Sequence, residues 1–230
     1  MTYSEVMRAL EEMGTAQNRK VYARRGVGAN MFGVSYANLR KLERMINTDH
    51  ALARRLWASG NHDARVLATM VADPAATDAR TLEAWAGTLD SYVLADAFTG
   101  LVARTPHADK KVERWTKSKQ EFVGQVGWSL IAHRALSDME VGDAYLEDHV
   151  DRIEAEIHRS QNRVRHAMNQ ALIAIGVRNA RLERKALAAA KRIGKVDVDH
   201  GETGCRTPDA SAYIAKTKDH RAKRKGKARA

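Results

Sequence analysis

Apolar residues recur at spacings of three and four along almost the whole chain, and that period is what most narrows the possible folds. Val6, Met7, Leu10 and Met13 form one stripe, and Leu39, Leu42, Met45 and Ile46 form another. Ala64, Leu67, Ala68 and Val71 continue it, as do Val164, Ala167, Met168, Ala171, Leu172 and Ile175. Such spacing builds one face of a helix, whereas a half-buried strand needs strict alternation, which is never sustained here. Only 3 prolines interrupt 230 residues, and 38 alanines favour helix. The fold class expected is therefore all-α. Helices are expected near Ser4–Arg25, Ser35–Ile46, His50–Ser59, His62–Ala72, Asp78–Thr88, Ser91–Ala103, Asp109–Lys117, Gln120–Leu136, Val141–Arg159, Asn162–Gly176 and Asn179–Gly194. Ser35 and Asp78 suit N-caps, Pro74 follows a helix end, and Gly176 and Gly194 suit C-terminal positions.

Short connections between so many helices imply antiparallel pairs, and a faint repeat runs through them. Trp57-Ala58-Ser59, Trp115-Thr116-Lys117-Ser118 and Ile157-His158-Arg159-Ser160 each end one helix in a polar corner just before the next. Ser118 and Ser160 are 42 residues apart, which falls within the period of two-helix HEAT-type repeats. Pairs of this kind cannot bury their apolar faces alone, so a stacked solenoid with a concave face is expected, the alternative being an irregular helical bundle whose echoes are coincidental. Three regions follow. Residues 1–194 form the helical repeat domain, 195–217 an extended segment packed on it, and 218–230 a disordered basic tail.

The net charge of +11 invites a polyanionic partner, but its distribution matters more than its size. From Lys216 to Ala230 there are 8 basic residues against the single acid Asp219, so the preceding 215 residues carry only +4. The one cysteine, Cys205, excludes an internal disulfide and a multi-thiolate zinc site, and a reducing cytoplasmic setting is expected. No apolar run approaches the roughly 18 residues of a membrane span, and the N-terminus lacks the charged and apolar regions of a signal peptide. No membrane partner is expected.

Several segments resemble a known family. Phe32-Gly33-Val34-Ser35 followed by Leu39-Arg40-Lys41-Leu42, the corner Leu56-Trp57-Ala58-Ser59-Gly60-Asn61-His62-Asp63-Ala64-Arg65, and the later Trp115-Thr116-Lys117-Ser118 are similar to the AlkD-like DNA alkylation repair proteins. The resemblance covers about Tyr3 to Gly194. It implies a HEAT-like solenoid whose concave face holds double-stranded DNA. It also implies excision of cationic N3- or N7-alkylated purines as a monomer, without a metal or other cofactor. Loss of a cationic base leaves an oxocarbenium-like sugar, which a carboxylate stabilises while holding the attacking water. Nearby aromatic faces add attraction for the cation.

In the family, that carboxylate follows a Trp by four residues on one helix, and a second Trp lies on a later helix. Here Asp96 falls at the carboxylate and Tyr92 replaces the first Trp; at i,i+4 they share a helix face. Gln170 stands at the second aromatic position, and the arginine cluster that relatives carry near Val123-Gly124-Gln125 is missing. Both departures bear on excision. Without the resemblance, Asp96 reads as a solvated helix carboxylate and Tyr92 as a half-buried aromatic. Arg65, Lys119, Arg163 and Arg165, near the starts of inner helices, are the expected phosphate contacts, with Gln170 beside them. Lys20, Arg24 and Arg25 form a further cluster around Tyr22.

Trp128 lies with Phe122, Val126 and Ile131 and reads as core. His62, His133 and His166 are too scattered for a base or metal site. Asp197, Asp199, Glu202 and Cys205 crowd around His200. Their spacing matches no familiar metal site, so a loop held by its own hydrogen bonds is expected. A segment like Val198-Asp199-His200-Gly201-Glu202-Thr203-Gly204-Cys205 marks a subgroup of the family. Two rival classes remain: a module of the same fold that grips duplex or branched DNA without chemistry, and a helical scaffold for protein partners.

Overall fold

The computed structural model describes residues 1–138 and 140–227. Among these residues the secondary structure is helical, with one isolated backbone bridge between Gly14 and Val34 and no sheet. The helices are α1 (Tyr3–Met13), α2 (Ala16–Arg24), α3 (Tyr36–Ile46), α4 (His50–Ala58), α5 (His62–Val71), α6 (Ala79–Ala86), α7 (Tyr92–Val102), α8 (Ala108–Trp115), α9 (Glu121–Ser137), α10 (Asp143–Glu156), α11 (Asn162–Gly176), α12 (Ala180–Ile193) and α13 (Ala210–Lys227). None is long and apolar enough to cross a membrane.

Caps explain where these helices start. The side chains of Ser35, Asn61 and Asp78 accept hydrogen bonds from the backbone N–H groups of Asn38, Ala64 and Thr81, each satisfying a donor the first helical turn leaves free. The stretch expected as one helix from Ser4 to Arg25 is two. Gly14 is extended, and a Cβ there would stand 2.3 Å from the Phe32 carbonyl oxygen. Thr15 donates its N–H to Gly33 and caps α2 through its hydroxyl. The helical period continues across Gly14, but pairing with a distant segment breaks it.

The second helices of successive pairs, α5, α7, α9 and α11, pack one upon the next, while α4, α8 and α12 back onto α5, α9 and α11. The core runs without interruption from Val6 to Ile214. Its central aromatics include the corner residues Trp57 and Trp115: Trp57 and Trp85 stack at 4.3 Å with nearly parallel rings, and Phe98 bridges Trp85 to Trp115. Trp128 is fully buried, as expected of a core residue. Between α8 and α9 the backbones touch, because a Cβ on Gly127 would lie 2.5 Å from the Thr116 nitrogen. Gly127→Ala is expected to force the two helices apart and cost about 1–3 kcal/mol. Chemical denaturation showing wild-type stability would contradict that contact.

Beyond Gly194 the structure departs from expectation. The extended segment ends at Asp209, and the residues expected as loop and disordered tail form α13 as far as Lys227. Two contacts account for this. Ile214 is fully buried against Gly176 of α11, and the Asp209 carboxylate accepts the Ala212 N–H at the helix start. Lys218 also pairs with Glu183 of α12. Residues 228–230 of that tail lie outside the described residues.

Candidate nucleic-acid interface

Ser91 caps α7 through Leu94, which puts Tyr92 in the first turn and Asp96 one turn further on the same side. Asp96 is exposed in the cleft. Its Oδ1 accepts a 2.8 Å hydrogen bond from Gln125 Nε2 of α9, and the same amide donates to the Tyr92 carbonyl at 3.2 Å. Gln125 is only 2% exposed and its Oε1 has no partner among the described residues. The carboxyl is therefore fixed from below and open above. Although it reaches solvent, the surrounding groove walls partly desolvate it and raise its pKa, against the opposing pull of the Gln125 hydrogen bond and the Arg163 charge.

Arg163, from the first turn of α11, lays its guanidinium 3.4 Å from the centroid of the Tyr92 ring. Its backbone N–H is spent on Glu121. Tyr36, at the start of α3, completes the group: it is 41% exposed. Its phenol is pushed up to about 12 by burial of the hydroxyl and then by the Asp96 charge. Tyr92, Asp96, Gln125, Arg163 and Tyr36 thus converge from four helices. Tyr36 and Gln125 were not anticipated. Gln125 carried a signal, as a lone amide among Val123, Val126 and Trp128, and Tyr36 carried one by directly following the Phe32–Ser35 motif.

The other expected phosphate contacts are placed differently. Arg65 is 4% exposed, bonded to Asp90 at 2.8 Å and to the Thr88 carbonyl, and stacked on Trp57. That guanidinium ties α5 to the loop before α7. Arg165 is half-buried, bonds the carbonyls of Asp197 and Ser160 and anchors the C-terminal segment. Lys119 is exposed at the α8–α9 corner, and its carbonyl accepts from Gln161. Gln170 is half-buried two turns after Arg163 on α11, and its side chain makes no hydrogen bond to the described residues.

The segment from Val196 to Asp209 runs along α11. Asn162 and Asp199 exchange two hydrogen bonds of 2.8 and 2.7 Å, and Asn169 donates to the Pro208 carbonyl. His200 meets the His166 ring edge-on at 5.5 Å and approaches Thr207 Oγ1 at 3.0 Å. Burial first, and then the Arg163 and His200 charges, push His166 down to about 4, so it is neutral at pH 7. Among the described residues no group of His, Cys, Asp or Glu is arranged to hold a metal ion.

Comparison with known proteins places the chain in a family and a fold. Two uncharacterized proteins, from Listeria innocua serovar 6a and Listeria monocytogenes serovar 1/2a, are each 24% identical over 225 residues, spanning 95% of this chain and 98% of their own. A solved structure described as belonging to "a new family of proteins related to the HEAT-like repeat DNA glycosylases with affinity for branched DNA structures" superposes with a TM-score of 0.89 at 27% identity. That match covers 96% of this chain and 95% of the other. The sequence profile of the family described as "DNA alkylation repair enzyme" matches residues 5–214. With the stacked helix pairs, the corner motifs and the inward-facing Asp96 already in place, the chain belongs to the DNA alkylation repair enzyme family and has its HEAT-like repeat fold.

Proposed function

We propose that the protein grips double-stranded DNA in its concave face and hydrolyses the N-glycosidic bond of N3- or N7-alkylated purines, in a cytoplasmic setting. The observation that carries this reading is the carboxylate of Asp96, an exposed residue of α7 with one oxygen fixed by Gln125 at 2.8 Å. A cationic alkylpurine leaves readily once positive charge on the sugar is stabilised, and a preorganised carboxylate supplies that stabilisation and orients water. Release of N7-methylguanine or N3-methyladenine from duplex DNA tests the reading; no release of either by the full chain would overturn it.

The ionised form of Asp96 is the active one, so excision should fall as pH drops through its raised pKa. Gln125→Leu removes a hydrogen bond that favours ionisation. The acid limb of the pH–rate profile should therefore move to higher pH. A limb that stayed in place under single-turnover conditions would remove Gln125 from the site's electrostatics.

One observation favours a second reading, binding to a DNA structure without excision. The Arg163 guanidinium covers the Tyr92 ring, and a cationic base would meet a like charge where the family presents an open aromatic face. Strong binding to branched or duplex DNA, with no base released from any alkylated substrate, would select it. Affinity should fall steeply with salt in either case, because phosphates dominate such binding.

A further inference from the structure

We propose that the cleft between α2, α7 and α11 binds the terminal phosphate of a DNA strand, through Arg163 with Arg24 and Arg25. The proposal rests on the reading of the protein as a DNA binder and specifies which part of the DNA this corner takes. Arg163 is 8% exposed, yet among the described residues its guanidinium makes no ion pair and donates no hydrogen bond. A nearly buried arginine normally has its five donors matched, most often by a carboxylate or phosphate. Here the guanidinium carbon lies 3.4 Å from the centre of the Tyr92 ring, and Arg163 lines a cleft of about 490 Å³. Two acidic residues, Asp199 and Glu202, line that cleft, and neither pairs with Arg163. Asp199 instead turns its carboxylate onto the Gly201 N–H at 2.8 Å.

The walls of the cleft decide between a strand end and a strand passing through. Ala23–Gly26 at the end of α2, Tyr92, Arg163 and the segment Asp199–Glu202 together line it. That last segment is held at Asp199, where Asn162 makes two hydrogen bonds, and Gly201 passes near the Arg24 carbonyl. A continuous backbone running from α11 toward α2 would meet this strap, whereas a terminal phosphate entering from the open side would stop against Arg163. A terminal monoester also carries more charge than an internal diester, which suits three arginines over two carboxylates.

The test titrates the full chain with a thymidine dinucleotide bearing a 5′-phosphate, a 3′-phosphate or hydroxyls at both ends, at low salt, by calorimetry or phosphorus NMR. One phosphorylated form should bind at least tenfold more tightly than the hydroxyl form, and which one it is gives the polarity of the end. Arg163→Met, which keeps an apolar cover on Tyr92, should erase the difference, and Glu202→Gln should enlarge it. Equal binding of all three dinucleotides would overturn the proposal. So would a preference that survives Arg163→Met. Binding to a covalently closed circular duplex, measured alongside, decides the broader DNA reading separately, because that substrate has no ends.

Discussion

Asp96→Asn is expected to lower the rate of alkylpurine excision by about 10²–10⁴-fold, the range spanned by a single positioned acid–base or electrostatic group. Duplex affinity should change by no more than about threefold. The substitution is nearly isosteric, and an Asn carbonyl oxygen still accepts the Gln125 hydrogen bond now made to Oδ1 at 2.8 Å. Only the negative charge is lost. That makes the variant a test of charge stabilisation, uncoupled from folding or DNA contact. Single-turnover assays on N3-methyladenine and N7-methylguanine duplexes check it. Excision persisting undiminished in the variant would remove Asp96 from the chemistry.

The largest effect on stability is expected at Asp63. This side chain is 1% exposed, and its two oxygens accept the backbone N–H groups of Phe32, Gly33 and Val34 at 2.7, 3.0 and 2.8 Å. The carboxylate clamps the Phe32–Ser35 motif to the start of α5. Asp63→Ala leaves these donors without an acceptor, two of the three bonds being buried, and an unsatisfied buried donor costs about 1–3 kcal/mol. A loss of about 3–5 kcal/mol is therefore expected, seen as a fall in Tm of roughly 6–20 °C for a domain of this size. Asp63→Asn keeps one acceptor oxygen and should lie between. Wild-type melting of the Ala variant would show that the segment is held by packing alone.

Asp63 also shows why the family motifs were easier to find than to interpret. The residues that mark the resemblance, Phe32–Ser35, Trp57, Asp63 and Arg65, build the framework and not the cleft. Trp57 stacks on Trp85, Asp63 holds a backbone turn, and Arg65 joins Asp90 and Trp57. Near the start of an inner helix, Arg65 resembles a phosphate contact in every respect that sequence records. Its burial depends on Asp90 and Thr88, more than 20 residues away, and no local pattern reports that. The same holds for Arg165, whose guanidinium is taken by the Asp197 carbonyl across 32 residues.

Helix positions were legible because their causes are local. A three-and-four apolar spacing, a Ser or Asp cap and an interrupting glycine act within a few residues, so the eleven spans expected from sequence fall close to observed helices, apart from the division at Gly14. Tyr92 and Asp96 could be paired for the same reason, being one turn apart. Everything else about the site arises between helices. Gln125 reaches Asp96 across 29 residues, Arg163 covers Tyr92 from α11, and Tyr36 comes from α3. The course of Asp199–Glu202 depends on Asn162, 37 residues away in the chain. Short-range periodicity and capping thus set which helices form, while the charge environment of Asp96 and the availability of each arginine follow from burial and partner choice. Those are properties of residues far apart in the chain, and they exist only once the helix pairs have stacked.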